Sequence, residues 1–175
     1  MRLHHAILIA AATVGLSGAA PLAQAHAAEL RIGFTLDPLT MDPANHRSRE
    51  TESVLRVMYD GLVAHDANMK LVPQLAESWN WVNPTTLEMK LRHGVQFHSG
   101  AIMTADDVVF TFTRLLTKNA IGGQTSPRNG LLGPVTAVEK IDADTIRFVL
   151  PSPWPVLPAM LLSFMKRAER SSCCR

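Results

Sequence analysis

Cysteine is scarce in this sequence: the 175 residues include two, Cys173 and Cys174, both close to the C-terminus. No disulfide framework can cross-link the body of such a chain, so its stability must come from packing. A bridge between the two neighbours is also disfavoured, because adjacent Cα atoms lie about 3.8 Å apart, below the usual range for disulfides.

An excess of charge of one sign is missing too. The 17 Lys and Arg residues against 15 Asp and Glu residues leave a formal net charge of +2, and the basic residues are scattered apart from a C-terminal cluster. This distribution lacks the basic patch that nucleic acid binding requires. We therefore expect no nucleic acid partner.

Patterns of catalytic or metal-binding residues are also absent. The sequence contains no Gly-rich phosphate loop, no Ser-centred elbow and no paired carboxylates, so we expect neither an enzyme nor a cofactor. His93 and His98 stand five positions apart in an alternating segment and would face opposite sides of a strand. No Cys or carboxylate completes a ligand set with them, so no metal site is expected.

No apolar run is long enough to cross a membrane comfortably, since the longest, 6–20, would form a helix of roughly 22 Å against the ~30 Å of a bilayer core. It follows the positively charged Arg2 and precedes the small-x-small signal Ala25-His26-Ala27, an order typical of a secretory signal peptide. We expect 1–27 to be removed after Ala27, with Ala25 as the second choice and an uncleaved anchor as the alternative. No cysteine directly follows the apolar run, so a soluble periplasmic product without a lipid anchor is expected.

The spacing of apolar residues predicts a mixed set of strands and helices. Strands or extended segments are expected at 30–34, 62–65, 70–74, 76–82, 87–91, 94–98, 135–140 and 145–150. A helix of about three turns is expected between an N-cap at Ser48 and a stop at Gly61. A second helix is expected after the N-cap Thr104, and the start of a third at 159–164. The segment 119–133 is rich in Gly, Ser, Pro and Asn, which predicts a long loop or lid rather than a packed element.

Several spaced motifs agree with one family signature, in the same order along the chain. They read AESW at 76–79, LEMKLRHGVQFHSG at 87–100 and MTADDVVF at 103–110, with MDP at 41–43, YDGL at 59–62 and VPQL at 72–75. This set closely resembles the family 5 solute-binding proteins of bacterial ABC importers, the peptide, dipeptide and nickel type. The resemblance runs from about Leu30 to about Pro158, nearly all of the mature chain.

The resemblance implies a mixed α/β fold of the periplasmic-binding-protein type II architecture, with an additional small α/β domain beside the first lobe. On that scheme 28–46 forms the first strand of lobe one, 47–150 the additional domain, and 151–175 returns to lobe one. Relatives continue for several hundred residues, so we expect an N-terminal fragment whose aberrant basic tail comes from a truncated or frameshifted gene. The alternative is a genuine short variant with a disordered tail.

The resemblance also points to candidate ligand-binding residues. Asp37, Pro38, Leu39 and Thr40 follow the first strand at the place where peptide-binding relatives pair backbone groups with an extended ligand, like an added strand. A plain surface turn is an equally good interpretation of these four residues. Arg128, in the loop 124–129, could reach a ligand carboxylate at a cleft rim, although a single arginine in a loop is usually only solvated.

The function implied is capture of a peptide or related small solute in the periplasm and its delivery to the membrane permease of an ABC importer. We expect a monomer, present here as a truncated fragment that does not bind solute alone. The alternative is an exported, non-catalytic interaction module that docks to another protein.

Overall fold

The computed structural model describes residues 31–162 and the backbone of two short strands, Met165–Lys166 and Ala168–Glu169. The expected signal peptide and the two cysteines lie outside the described residues. The chain divides into two compact units at the boundary between Gly33 and Phe34. The first contributes only 31–33 to the described residues, without regular structure, and all that follows concerns the second.

The second unit contains three α-helices, one 3-10 helix and ten strands among its described residues. The helices are α1 (Arg49–Leu55), α2 (Ala105–Leu116) and α3 (Leu157–Met160), with the 3-10 helix at Asn129–Leu132. The strands are β1 (Tyr59–Asp60), β2 (Val63–His65), β3 (Leu71–Pro73), β4 (Ala76–Asn83), β5 (Thr86–Leu91), β6 (Gln96–Phe97), β7 (Ala137–Lys140), β8 (Thr145–Val149), β9 (Met165–Lys166) and β10 (Ala168–Glu169).

A four-stranded antiparallel sheet in the order β4-β5-β8-β7 forms the centre of the fold. The alternation on β5 explains its orientation, because Leu87, Met89 and Leu91 are buried while Glu88 and Lys90 alternate with them on the opposite face. The two hairpins expected at 76–91 and 135–150 are confirmed.

Helix α2 covers one face of this sheet and packs against β7 and β8. Its start is fixed by a capping box, in which the carboxylate of Asp107 accepts a 2.8 Å hydrogen bond from the backbone N–H of Thr104. Phe112 reaches the sheet and meets Phe148 edge to face, with ring centroids 5.1 Å apart. The second expected helix is thus confirmed with its N-cap.

Helix α1 is shorter than the sequence indicates. Ser48 caps it as expected, accepting a 3.2 Å hydrogen bond from the N–H of Thr51, but the helix ends at Leu55. The prediction that it runs for three turns to Gly61 is wrong, because β1 begins at Tyr59. Gly61 has another role: a Cβ there would lie 2.1 Å from the carbonyl oxygen of Leu162, so two backbone segments meet where no side chain fits.

The segment 119–133 is packed, contrary to the prediction of an unpacked loop or lid. Leu132, in the 3-10 helix, is fully buried in the core, and Ile121 is also buried. The Asn129 amide donates to the carbonyl oxygens of Leu115 and Leu116, at 2.9 and 3.2 Å, at the end of α2. Sparse apolar residues and one cap-like amide therefore fix a segment whose composition is typical of a loop.

Three other expectations are changed near the two ends of the described residues. No strand forms at 31–34, since no described strand lies alongside to accept its backbone hydrogen bonds. The third helix begins at Leu157, earlier than the predicted 159–164, with Pro158 in its first turn where a missing N–H costs nothing. Strands β9 and β10 pair with β1 and β6 in the stretch expected to be an irregular tail.

Among 31–162, no helix is long and apolar enough to span a membrane.

Candidate functional site

The four candidate ligand-binding residues after the expected first strand form an exposed, irregular segment. Asp37 and Leu39 are exposed and Pro38 and Thr40 are partly buried, with Leu39 at 76% exposure. The backbone N–H of Leu39 donates a 3.0 Å hydrogen bond to the hydroxyl of Thr51 in α1. The segment is therefore open to solvent on one side and attached to the first helix on the other.

A tight turn directly after this segment is organised by Asp42. One oxygen of Asp42 accepts a 2.9 Å hydrogen bond from the N–H of Ala44, and its own N–H donates to the Thr40 hydroxyl at 3.1 Å. The Arg114 guanidinium of α2 binds both carboxylate oxygens, one at 3.1 Å and the other through a shorter contact. Burial opposes the charged carboxylate, yet the hydrogen bonds from Arg114 and Ala44 prevail and hold the pKa of Asp42 below its ordinary value.

The same turn is held from β1 and from the 119–133 segment. The Tyr59 hydroxyl donates a 2.8 Å hydrogen bond to the carbonyl oxygen of Met41. The Ser126 hydroxyl donates a 2.6 Å hydrogen bond to the carbonyl oxygen of Ala44. Residues distant in sequence therefore fix the backbone immediately beyond the candidate segment.

Arg128 lies in a buried polar cluster rather than at an open rim. The residue is 7% exposed, and its guanidinium makes a short ion pair with Glu52 of α1 and places Nη1 3.1 Å from Nε2 of His46. It does contact a carboxylate, as its chemistry suggests, but one supplied by its own chain. The cluster joins the 119–133 segment to α1 and to the end of the Asp42 turn.

His46 is the histidine of this cluster, and its side chain is almost fully buried. Burial and the neighbouring positive charge of Arg128 both disfavour its protonated form and outweigh the attraction of Glu52. The pKa of His46 therefore lies below its ordinary value.

Among the described residues, no three His, Cys, Asp or Glu side chains are grouped closely enough to hold a metal ion. His93 instead lies 3.3 Å from a carboxylate oxygen of Asp144 at the surface.

Comparison with known proteins decides the family. The family model described as bacterial extracellular solute-binding proteins, family 5 Middle, matches residues 70–170. The chain belongs to this family. The resemblance of the spaced motifs is thereby confirmed, and it extends beyond the motifs to the whole of the central sheet and α2.

Individual relatives of this family 5 protein agree with the assignment. Di/tripeptide-binding protein 1 of Pseudomonas aeruginosa is 30% identical over 165 residues, which cover 83% of this chain and 31% of the relative. The structure of NikZ from Campylobacter jejuni, in complex with Ni(L-His), matches with a TM-score of 0.65 at 26% identity, over 74% of this chain and 25% of that one. DppA from Helicobacter pylori, in complex with the peptide STSA, matches with a TM-score of 0.61 at 28% identity, over 69% and 27%.

These matches confirm the expected mixed α/β fold of the periplasmic-binding-protein type. They also show that the family 5 chain spans less than a third of the length of these relatives.

The sequence predicts a role for the exposed segment at 37–40 but does not indicate the groups that hold the turn after it. Asp42 belongs to one of the spaced motifs, and its partner Arg114 is 72 positions away. His46 and Glu52 lie 82 and 76 positions from Arg128, their partner in the buried cluster. No periodic pattern links residues so far apart, so sequence alone carries no signal for these contacts.

Proposed function

We propose that this chain is the N-terminal part of a periplasmic substrate-binding component of an ABC importer, which captures peptides or related small solutes for a membrane permease. The observation that carries this proposal is the family match over 70–170, joined to relatives named for di- and tripeptides. The relative DppA was solved with a bound peptide, which favours a peptide as the solute. Export would follow from the expected signal peptide at 1–27.

Asp37 to Thr40 would meet the solute through backbone groups. The segment is exposed, and α1 holds it through the hydrogen bond from the N–H of Leu39 to the Thr51 hydroxyl. Arg114 of α2 and Tyr59 of β1 hold the turn beyond it. A backbone fixed before the ligand arrives loses less conformational entropy when it binds. This is the arrangement that strand-like pairing with a peptide needs.

Arg128 is the weaker member of the proposed site. Its guanidinium is already committed to Glu52, so a solute carboxylate would have to displace that ion pair. Arg128 would then contribute mainly by supporting the turn from behind.

The test uses residues 28–175, the mature chain expected after export, and a fusion of 28–162 to the part of Di/tripeptide-binding protein 1 that lies outside the match. Titration calorimetry with a tripeptide should give no saturable heat for the chain alone, because most of the length of the relatives is missing from it. The fusion should bind. Tight, saturable binding by the chain alone would refute the fragment proposal, and a folded fusion that binds no peptide would refute the solute class.

A matched pair of variants of the fusion tests the backbone contact. Asp37→Pro removes the N–H at that position, whereas Asp37→Ala removes the side chain and keeps the N–H. We expect the proline variant to lose about tenfold or more in affinity and the alanine variant to stay within about twofold. Equal affinity of the two variants would mean that the segment is an ordinary surface turn.

A further inference from the structure

The side chain of Asn129 caps the C-terminus of α2 from the 119–133 segment. Helix α2 ends at Leu116, and the last carbonyl groups of a helix have no partner inside it. The Asn129 amide donates hydrogen bonds to two of these groups, the carbonyl oxygens of Leu115 and Leu116, at 2.9 and 3.2 Å. The amide therefore serves the negative end of the helix dipole as a hydrogen-bond donor.

Asn129 is followed by Gly130, a pair that favours loss of the side-chain amide. The backbone nitrogen of Gly130 can attack the side-chain carbon Cγ of Asn129, and glycine, which lacks a Cβ, obstructs this attack least. A bond forms between that nitrogen and Cγ while the Cγ–Nδ2 bond breaks, and Nδ2 leaves as ammonia with the proton of the Gly130 N–H. Water then opens the succinimide ring and leaves aspartate or isoaspartate at position 129. No other asparagine of this sequence precedes a glycine.

The folded segment holds Asn129 in a conformation that opposes this reaction. Asn129 is the first residue of the 3-10 helix, and a 3-10 backbone, with ψ of about −20 to −30°, turns Cβ away from the following nitrogen, so the planar ring cannot close. This helix is fixed by Leu132, which is fully buried, and by the N–H of Asn129, which donates a 3.0 Å hydrogen bond to the carbonyl oxygen of Ser126. The amide is therefore protected while the segment stays packed.

Conversion of Asn129 to aspartate would reverse the polarity of the cap. An ionised carboxylate only accepts hydrogen bonds, so at position 129 it would face the carbonyl oxygens of Leu115 and Leu116 without a proton between them. It would also place a negative charge at the negative end of α2. Isoaspartate would in addition insert a methylene group into the main chain of the 3-10 helix. Either product opposes the return of the segment to α2.

The residues directly before Asn129 hold the turn that follows the candidate ligand-binding segment. The Ser126 hydroxyl binds the carbonyl oxygen of Ala44, and Arg128 is paired with Glu52 of α1. Displacement of the chain at position 129 would weaken both contacts, because Arg128 is the adjacent residue and the N–H of Asn129 bonds to Ser126. Loss of one amide group would therefore loosen the backbone beside the proposed solute-binding residues.

We propose that Asn129 is a site of spontaneous deamidation that reacts when the 119–133 segment opens, and that the product keeps the segment from packing again on α2. The reaction needs only water. Its rate is set by how often the segment opens, so each opening carries a chance of irreversible change. The proposal rests on the contacts of Asn129 and does not depend on solute capture.

The first test follows deamidation of the full chain at mildly alkaline pH, native and in guanidinium chloride, by mass spectrometry of the peptide that contains position 129. We expect Asn129 to react at least about tenfold more slowly in the native chain, because the segment must open first. Gly130→Ala is the control, since a Cβ there meets nothing within 4 Å in the fold, yet it should slow the reaction of the unfolded chain at least about tenfold. Equal rates in the native and unfolded chains, or in the unfolded wild type and unfolded Gly130→Ala, would overturn the proposal.

The second test measures the effect of the product with Asn129→Asp and the matched variant Asn129→Ala. Both remove the amide donors, but only Asn129→Asp adds a charge, so it should unfold at a lower urea concentration than Asn129→Ala. This difference should shrink below the ordinary carboxyl pKa of about 3.9, where the side chain is protonated and can donate again. If the two variants are equally stable at neutral pH, the cap tolerates a carboxylate and the proposal fails.

Refolding of the wild-type chain tests the same point without a variant that must fold. Chains held in guanidinium chloride and then diluted should lose the ability to refold in proportion to their conversion at position 129. Gly130→Ala treated in the same way should keep this ability, because its amide survives. Full recovery of the native tryptophan fluorescence by converted chains would show that the product does not block packing, and would refute the proposal.

Discussion

Gly61 lies between β1 and β2, and its replacement by alanine tests the close contact of its backbone with the backbone of Leu162. A Cβ at this position would lie 2.1 Å from the carbonyl oxygen and 2.8 Å from the Cα of Leu162, and these backbone atoms cannot rotate away as a side chain can. The backbone around Leu162 would have to move away from residue 61, and this movement would break the 3.0 Å hydrogen bond from the N–H of Leu62 to the carbonyl oxygen of Leu161. It would also expose Leu161, which is fully buried.

The size of the effect follows from these two losses. A backbone hydrogen bond contributes about 1 kcal/mol and burial of a leucine about 1.5–3 kcal/mol, against a gain of about 0.4–1 kcal/mol from restricting the unfolded chain. We therefore expect Gly61→Ala to lower the free energy of unfolding by about 1.5–3.5 kcal/mol, measured by urea denaturation followed through tryptophan fluorescence.

Gly130→Ala is the matched control for this experiment. Gly130 lies in the 3-10 helix, and a Cβ there meets nothing within 4 Å. It should leave stability unchanged or raise it by less than about 1 kcal/mol. If Gly61→Ala and Gly130→Ala unfold at the same urea concentration, the close approach at Leu162 is not a real constraint and the reasoning fails.

Two further predictions concern the turn at Asp42 and the cluster behind it. A double-mutant cycle with Asp42→Asn and Arg114→Met, measured by urea denaturation, should give a coupling energy of about 1 kcal/mol, because the ion pair is bidentate but partly solvated. Additive effects of the two substitutions would contradict this prediction. The lowered pKa of His46 means that the unfolded chain takes up a proton near the ordinary value of 6.5 while the folded chain does so only at lower pH. Stability should therefore fall as the pH drops from about 6.5 to the folded pKa of His46, and it should not change with the protonation of His46 above about pH 6.5. His46→Gln should reduce the difference in stability between pH 7.5 and pH 5.5, measured by urea denaturation. The control His98→Gln, at an exposed position, should keep that difference.

The elements that sequence predicted well are those fixed by near neighbours. The start of α2 depends on Thr104 and Asp107, three positions apart, and its burial on apolar residues one turn apart. The hairpin of β4 and β5 depends on the alternation along β5 and on a turn at Asn83 and Pro84. The residues that carry each of these signals lie within about ten positions of one another, so the element can be predicted without knowledge of the rest of the fold.

The features that sequence missed depend on distant partners. Apolar residues at Met58 and Leu62 continue a helical spacing, but the backbone of Leu161 accepts a hydrogen bond from Leu62 and keeps it out of α1. The composition of 119–133 indicates a loop, but burial of Ile121 and Leu132 fixes it. Tertiary packing overrides local propensity at these places, and no local pattern records it.

The candidate segment at 37–40 is exposed to solvent, and the turn directly after it is fixed by contacts with distant residues. Asp37 and Leu39 of the segment are exposed to solvent, while Arg114 on α2 and the Arg128 cluster hold the turn from two different elements. Because each arginine is paired with a carboxylate of its own chain, neither charge is available at the surface without breaking a structural contact. A site built in this way would recognise an extended solute through backbone groups and shape, with charge reserved for holding the turn in place.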